Sequence, residues 1–137
     1  MNLKQTFGLG RAYIVLIAAI GLFSDIIYST GFSKYSALGV PLELAVLFHF
    51  GYRYGKAGNG LLQCVIASIL VVNMAMILNS MAYAVILFAG VGAGILPGLT
   101  PEIIISNIIE NTVFAIALFS IAGCVTGASA SLIGKRL

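Results

Sequence analysis

Three polar side chains at helical spacing carry the densest chemistry in this chain: Asn107, Glu110 and Asn111, with Ser106 one turn before the acid. Separations of three and four residues bring them onto one helical face. An acid between two amides, beside the uncharged run from Asn111 to Gly134, suits an ion path or a proton relay, because ionisable groups in membranes are costly and mark such paths or paired structural sites. A wetted acid is the competing reading, since a helix from 101 to 134 would be roughly 50 Å long and its first turns would clear the hydrocarbon core. Asp25, inside an apolar segment, completes this candidate set. It either marks a helix end near Tyr28 and Lys34 or pairs with a basic group on another helix.

His49, the one histidine, shares a helical stripe with Leu42, Ala45 and Tyr52. Haem or metal ligation would need partners, and the sequence offers no second histidine, no Cys-x-x-Cys and no carboxylate at ligand spacing. It reads as a packing or interfacial residue, with a haem or quinone contact across a symmetric dimer as its functional alternative. Cys64 and Cys124 lie in separate apolar segments and read as small buried hydrophobes, with a redox pair as the alternative. No Ser/His/Asp set stands out, and Gly90 to Gly94 lacks the lysine that a phosphate-cradling loop needs. The sequence therefore nominates no catalytic residue, no metal site and no cofactor.

The elements that must hold these residues are set by composition. Of 137 residues, 61% are hydrophobic and 8% charged, with a mean hydropathy of +1.11. Soluble domains carry about 25% charged residues. A soluble globular protein is excluded; the expectation is a single all-α transmembrane domain over 1–137, a polytopic integral membrane protein with the lipid bilayer as its first partner.

Residues 12–32 form the first apolar segment, long enough for a core of about 30 Å. A signal peptide is the rival reading of this segment after Lys4 and Arg11, but no small-x-small site follows. A second, shorter segment runs from about Pro41 to Tyr52, where proline suits a first helical turn and Glu43 favours the positive end of the helix dipole. Residues 57–101 carry no charge and are too many for one straight crossing. The chain is expected to bend at Asn79-Ser80 or at the glycines from Gly90 to Gly94 ahead of Pro97-Gly98. A span over 61–81 would then be followed by a re-entrant or extended apolar piece near 82–98, or by a full extra span. Thr100-Pro101-Glu102 supplies an N-cap, a first-turn proline and a first-turn acid for the last helix.

The net charge is +3, and the basic residues flank apolar segments, which is topology charge and leaves no nucleic-acid stripe. With four spans, Lys4, Arg11, Arg53, Lys56, Lys135 and Arg136 share one side against Lys34; with five, the division is nearly even. Four spans with both termini cytoplasmic, in the cell membrane, is the expectation. Small-xxx-small pairs at Gly51/Gly55, Gly90/Gly94, Gly94/Gly98 and Gly123/Gly127, extended by Ala130/Gly134, predict close helix packing within a subunit or a homo-oligomer.

Gly10-Arg11 at the first helix, Gly31 through Tyr35, Ala37-Leu38-Gly39-Val40-Pro41, Glu110-Asn111 and Gly123-Cys124-Val125-Thr126-Gly127-Ala128 together resemble the DoxX-like family of small four-span membrane proteins. The resemblance covers about a third of the chain and implies a membrane partner in quinone-linked or sulfur-redox complexes. The chain departs from the family at Glu110, where a lysine is usual, at His49, where a glutamate is usual, and in lacking a Thr-Arg pair before the third helix. Three functions follow as expectations: a homo-oligomer or complex subunit that forms or supports a transport or permeation path; a quinone- or haem-linked electron-transfer subunit; or an accessory, immunity or exclusion protein that binds another membrane protein.

Overall fold

The computed structural model describes residues 3–29, 38–92, 94, 98 and 100–134. The end of the first apolar segment at Phe32, the motif from Gly31 to Tyr35, and Lys34, Pro97, Lys135 and Arg136 lie outside these residues. Among the described residues four helices follow one another: α1 (Leu3–Ser29), α2 (Gly39–Lys56), α3 (Leu61–Gly92) and α4 (Pro101–Gly134). Three stretches, Thr6–Ile27, Leu61–Gly90 and Pro101–Gly134, are long and apolar enough to cross a membrane. α2 is not among them; its 18 residues include Glu43, Arg53 and Lys56.

Helix boundaries follow local chemistry. The hydroxyl of Thr100 accepts the Ile103 N–H at 3.4 Å, which caps α4 ahead of Pro101. Past α2 the chain turns at Gly58, whose φ of +86° favours glycine, and the Asn59 amide donates to the Tyr54 carbonyl at 2.9 Å. α3 passes through Asn79-Ser80 without a break and ends at Gly92. Both polar side chains there are engaged across helix interfaces, with Asp25 and Thr112, rather than competing for their own backbone. The beginning of the 82–98 segment is thus an extension of α3, about 48 Å long in all. The expected bend falls instead at the glycines, where Gly94 has a φ of +69°.

α1 and α4 each pack against α2 and α3 and barely touch each other. The buried stripe of α2, Gly39, Glu43, Leu47, Phe50, Gly51, Tyr54 and Gly55, repeats at three and four residues and faces the bundle axis. Around it the core gathers Ile17, Val71, Val72, Met76 and Phe119, and Tyr13, Phe50 and Tyr54 form successive ring contacts 5.3 and 5.6 Å apart.

One end of the bundle is tightly closed. A methyl group on Gly127 would stand 2.8 Å from Ser68 Oγ and 3.0 Å from the Cys64 carbonyl; on Gly55 it would meet the Ser131 backbone at 3.0 Å, and on Gly134 the Tyr52 carbonyl at 3.0 Å. The first turn of α1 joins the same end, where the Thr6 and Tyr54 hydroxyls lie 2.7 Å apart in a buried hydrogen bond. The beginning of α1 and the end of α4 therefore lie at the same end of the bundle, each against the end of α2.

Candidate functional site: a polar cavity between the helices

The opposite end of the bundle is less tightly closed. The bundle forms an open-sided cavity of about 560 Å³ there. α1 contributes Gly21, Ser24 and Asp25 to its wall, and α2 contributes Val40 and Glu43. α3 adds Asn79, Ser80 and Tyr83 among its polar residues, and α4 adds Asn107 and Asn111. Two carboxylates and three amides converge in a chain with only four acids.

The geometry is specific at three places. Asn79 Nδ2 donates to Asp25 Oδ2 at 3.0 Å, so the amide is oriented by the acid. Its Oδ1 is buried without a hydrogen-bond partner. Glu43 is only 5% exposed, and among the described residues it has neither a hydrogen bond nor a basic partner. A methyl on Gly21 would lie 2.8 Å from Glu43 Oε1 and 3.0 Å from Asn79 Nδ2; the absence of a side chain at residue 21 is what admits both polar groups. Gly39 does the same on α2, since a methyl there would run into Ser24.

Behind the cavity, α3 and α4 are held by polar contacts. Thr112 Oγ1 lies 2.7 Å from Ser80 Oγ and donates to its own helix at the Ile108 carbonyl, 2.6 Å away. Further along α3, Ser120 donates to Asn73 Oδ1 at 3.1 Å. Such interhelical bonds fix rotation about the helix axis, which sets Asn107 and Asn111, both exposed side chains, at the rim of the cavity.

The sequence candidates are divided by this arrangement. Asp25, Asn107 and Asn111 meet at the cavity. Glu110 is exposed on α4, outside the cavity wall, with Ser106 Oγ donating to it at 3.3 Å. Asp25 pairs with an amide on another helix, Asn79, and among the described residues with no basic group. His49 lies toward the other end, exposed, its ring stacked on Tyr13 at 6.0 Å, in a shallow groove with Tyr52, Arg53 and Lys56. Among the described residues, no three His, Cys, Asp or Glu side chains gather as a metal site. Cys64 is buried and Cys124 exposed, both as free thiols, so the reading of Cys124 as a buried hydrophobe is corrected: it stands on the outward face of α4. Gly123 and Gly127 face α3, with Gly123 about 3.3 Å from the Ile69 backbone by the same measure. Gly94 meets nothing within 4 Å, and Gly90 is half-buried near the end of α3.

Glu43 and Asn79 are the site residues that spacing alone did not single out. The signal was present: Glu43 falls four residues after Gly39 and four before Leu47 on one stripe, and Asn79 follows Val72, Ala75 and Met76 at the same period. No protein-family model matches this chain, and neither a curated protein nor a solved structure does.

Proposed function

We propose that this protein is a small multi-span membrane protein whose bundle forms a transport or permeation path for a positively charged species, with the Asp25/Glu43 cavity as its binding site. The observation that carries this reading is Glu43: a carboxylate 5% exposed, lining a cavity of about 560 Å³, with no basic group beside it among the described residues. Burying a charge without a partner costs several kcal/mol, and inside a membrane such groups serve ion and substrate pathways.

In this reading all four helices cross. α2, at about 27 Å, matches a core of about 30 Å when its basic end lies at headgroup level. The meeting of Thr6 with Tyr54 and of Gly134 with Tyr52 supports an even number of crossings. The basic flanks in the sequence favour the cytoplasmic side of a cell membrane for that shared end, and in this reading the cavity lies in the opposite half. The outward face of α4, with Val113, Phe114, Ile121 and Val125 exposed, is available to lipid or to a second subunit, in keeping with a homo-oligomer or a complex subunit.

Flux in reconstituted vesicles is the test. With an imposed membrane potential, the parent protein is expected to carry positive charge and Glu43→Gln, which keeps shape and removes charge, to lose it. Equal charge movement in the variant and the parent would remove the cavity from the path.

A further inference from the structure

We infer that the cavity accommodates an organic cation, an ammonium or guanidinium head on an apolar body, rather than a bare metal ion. This inference rests on the reading of the cavity as a cation site and names its substrate class. The room is the first argument. About 560 Å³ lies in the range of small-molecule pockets, roughly 300–1,000 Å³, whereas a water-sized ligand fills about 30 Å³.

The donor set is the second argument. Hard cations such as calcium require six to eight oxygens converging at about 2.3–2.6 Å. Here Asp25 Oδ2 accepts from Asn79 Nδ2, the Asn79 oxygen is buried away from that bond, and the Asn79 nitrogen, a donor, occupies the space beside Gly21 that it shares with Glu43 Oε1. That nitrogen orients Asp25 and, as a donor, does not itself coordinate a metal. Glu43, nine-tenths buried and without a hydrogen bond among the described residues, is left to meet a single delocalised or bulky positive charge.

The walls are the third argument. Val40, Met76, Leu87 and Ile108 line the cavity with the rings of Tyr83 and Phe119. Aromatic faces attract alkylammonium and guanidinium groups, and aliphatic walls shelter a hydrocarbon body. A hydrated inorganic ion gains nothing from either surface.

Calorimetry on the purified full chain tests the inference with benzyltrimethylammonium as the probe, neopentylbenzene as its neutral isostere and sodium as the inorganic competitor. Saturable binding of the ammonium, at least about tenfold weaker in Glu43→Gln, unaffected by excess sodium and absent for the isostere, is expected. Tyr83→Leu, which keeps an apolar wall and removes the ring, is expected to weaken the probe about threefold to tenfold; it supplies the answer where Glu43→Gln does not yield folded protein. Displacement by sodium at concentrations comparable to the probe, equal binding of the isostere, or unchanged binding in both variants would overturn the inference. Glu43-dependent sodium or proton flux in vesicles without ammonium binding would overturn it while leaving the cation path standing. Loss of both the flux and the binding criteria would remove the path as well.

Discussion

Glu43 and Glu110 are chemically the same residue in two positions that demand different things. Glu43 is enclosed by four helices and faces Asp25 across the cavity; Glu110 sits on the outward side of α4 with Ser106 as its hydrogen-bond partner. A carboxylate already exposed gives up little on losing its charge, so Glu110→Gln is expected to retain most of the vesicle flux that Glu43→Gln loses. A large loss with Glu110→Gln would move the path to the outer face of α4. The Tyr54 hydroxyl is a second point where one atom matters, because it bonds Thr6 inside the closed end. Tyr54→Phe keeps the ring contact with Phe50 and removes that bond, and is expected to cost about 0.5–1.5 kcal/mol. Thermal unfolding in detergent would measure it; an unchanged midpoint would show that the bond contributes nothing net.

Between helices, glycine sets the distance. Gly123 and Gly127 let α4 approach the α3 backbone near Ile69 and Cys64, and Gly51 and Gly55 do the same for α2 against α4. In lipid this close approach, with its many van der Waals contacts, replaces the hydrophobic effect as the packing force. Gly127→Leu is expected to disrupt the closed end, since its branched side chain would meet backbone and Ser68 at once, at a cost of about 1–3 kcal/mol or more. Gly123→Leu should do likewise against Ile69. Leu132→Ile, exposed on α4 and equal in volume, is expected to behave as the parent. Size-exclusion profiles and unfolding midpoints of the three variants check this, and equal behaviour would remove the close-packing role of both glycines.

Across the whole molecule, a closed basic end and a polar, open end give the bundle a direction. If all four helices cross, reporter fusions after Leu137 and beside Lys34 will report opposite compartments, the first cytoplasmic. A C-terminal fusion read on the outer side would require an odd number of crossings and would place the cavity differently. The asymmetry also explains why cation binding and helix packing are expected to be separable: the residues of the cavity belong to the end of α1, the beginnings of α2 and α4 and the second half of α3, and the close contacts of Gly51, Gly55, Gly127 and Gly134 to the opposite end.

Composition alone, at 61% hydrophobic and 8% charged, determined that this chain is helical and apolar enough to cross a membrane, because uncharged runs this long cannot be buried in one small core. Local chemistry determined the start of α4 at Thr100-Pro101, for capping is a property of neighbouring residues. The side chains of Asn79 and Ser80 illustrate the limit. In sequence they look like a break in an apolar run, and only their partners Asp25 and Thr112, on other helices and more than thirty residues distant in the chain, turn them into interface contacts within an unbroken helix. The site was only partly legible for the same reason. Periodicity put Asn107, Glu110 and Asn111 on neighbouring positions of one helix, but a period of 3.6 fixes relative angles, not which angle faces inward. Tertiary packing of α4 on α3 set that rotation, putting Asn107 and Asn111 in the wall of the cavity that Asp25 and Glu43 also line and leaving Glu110 outside it.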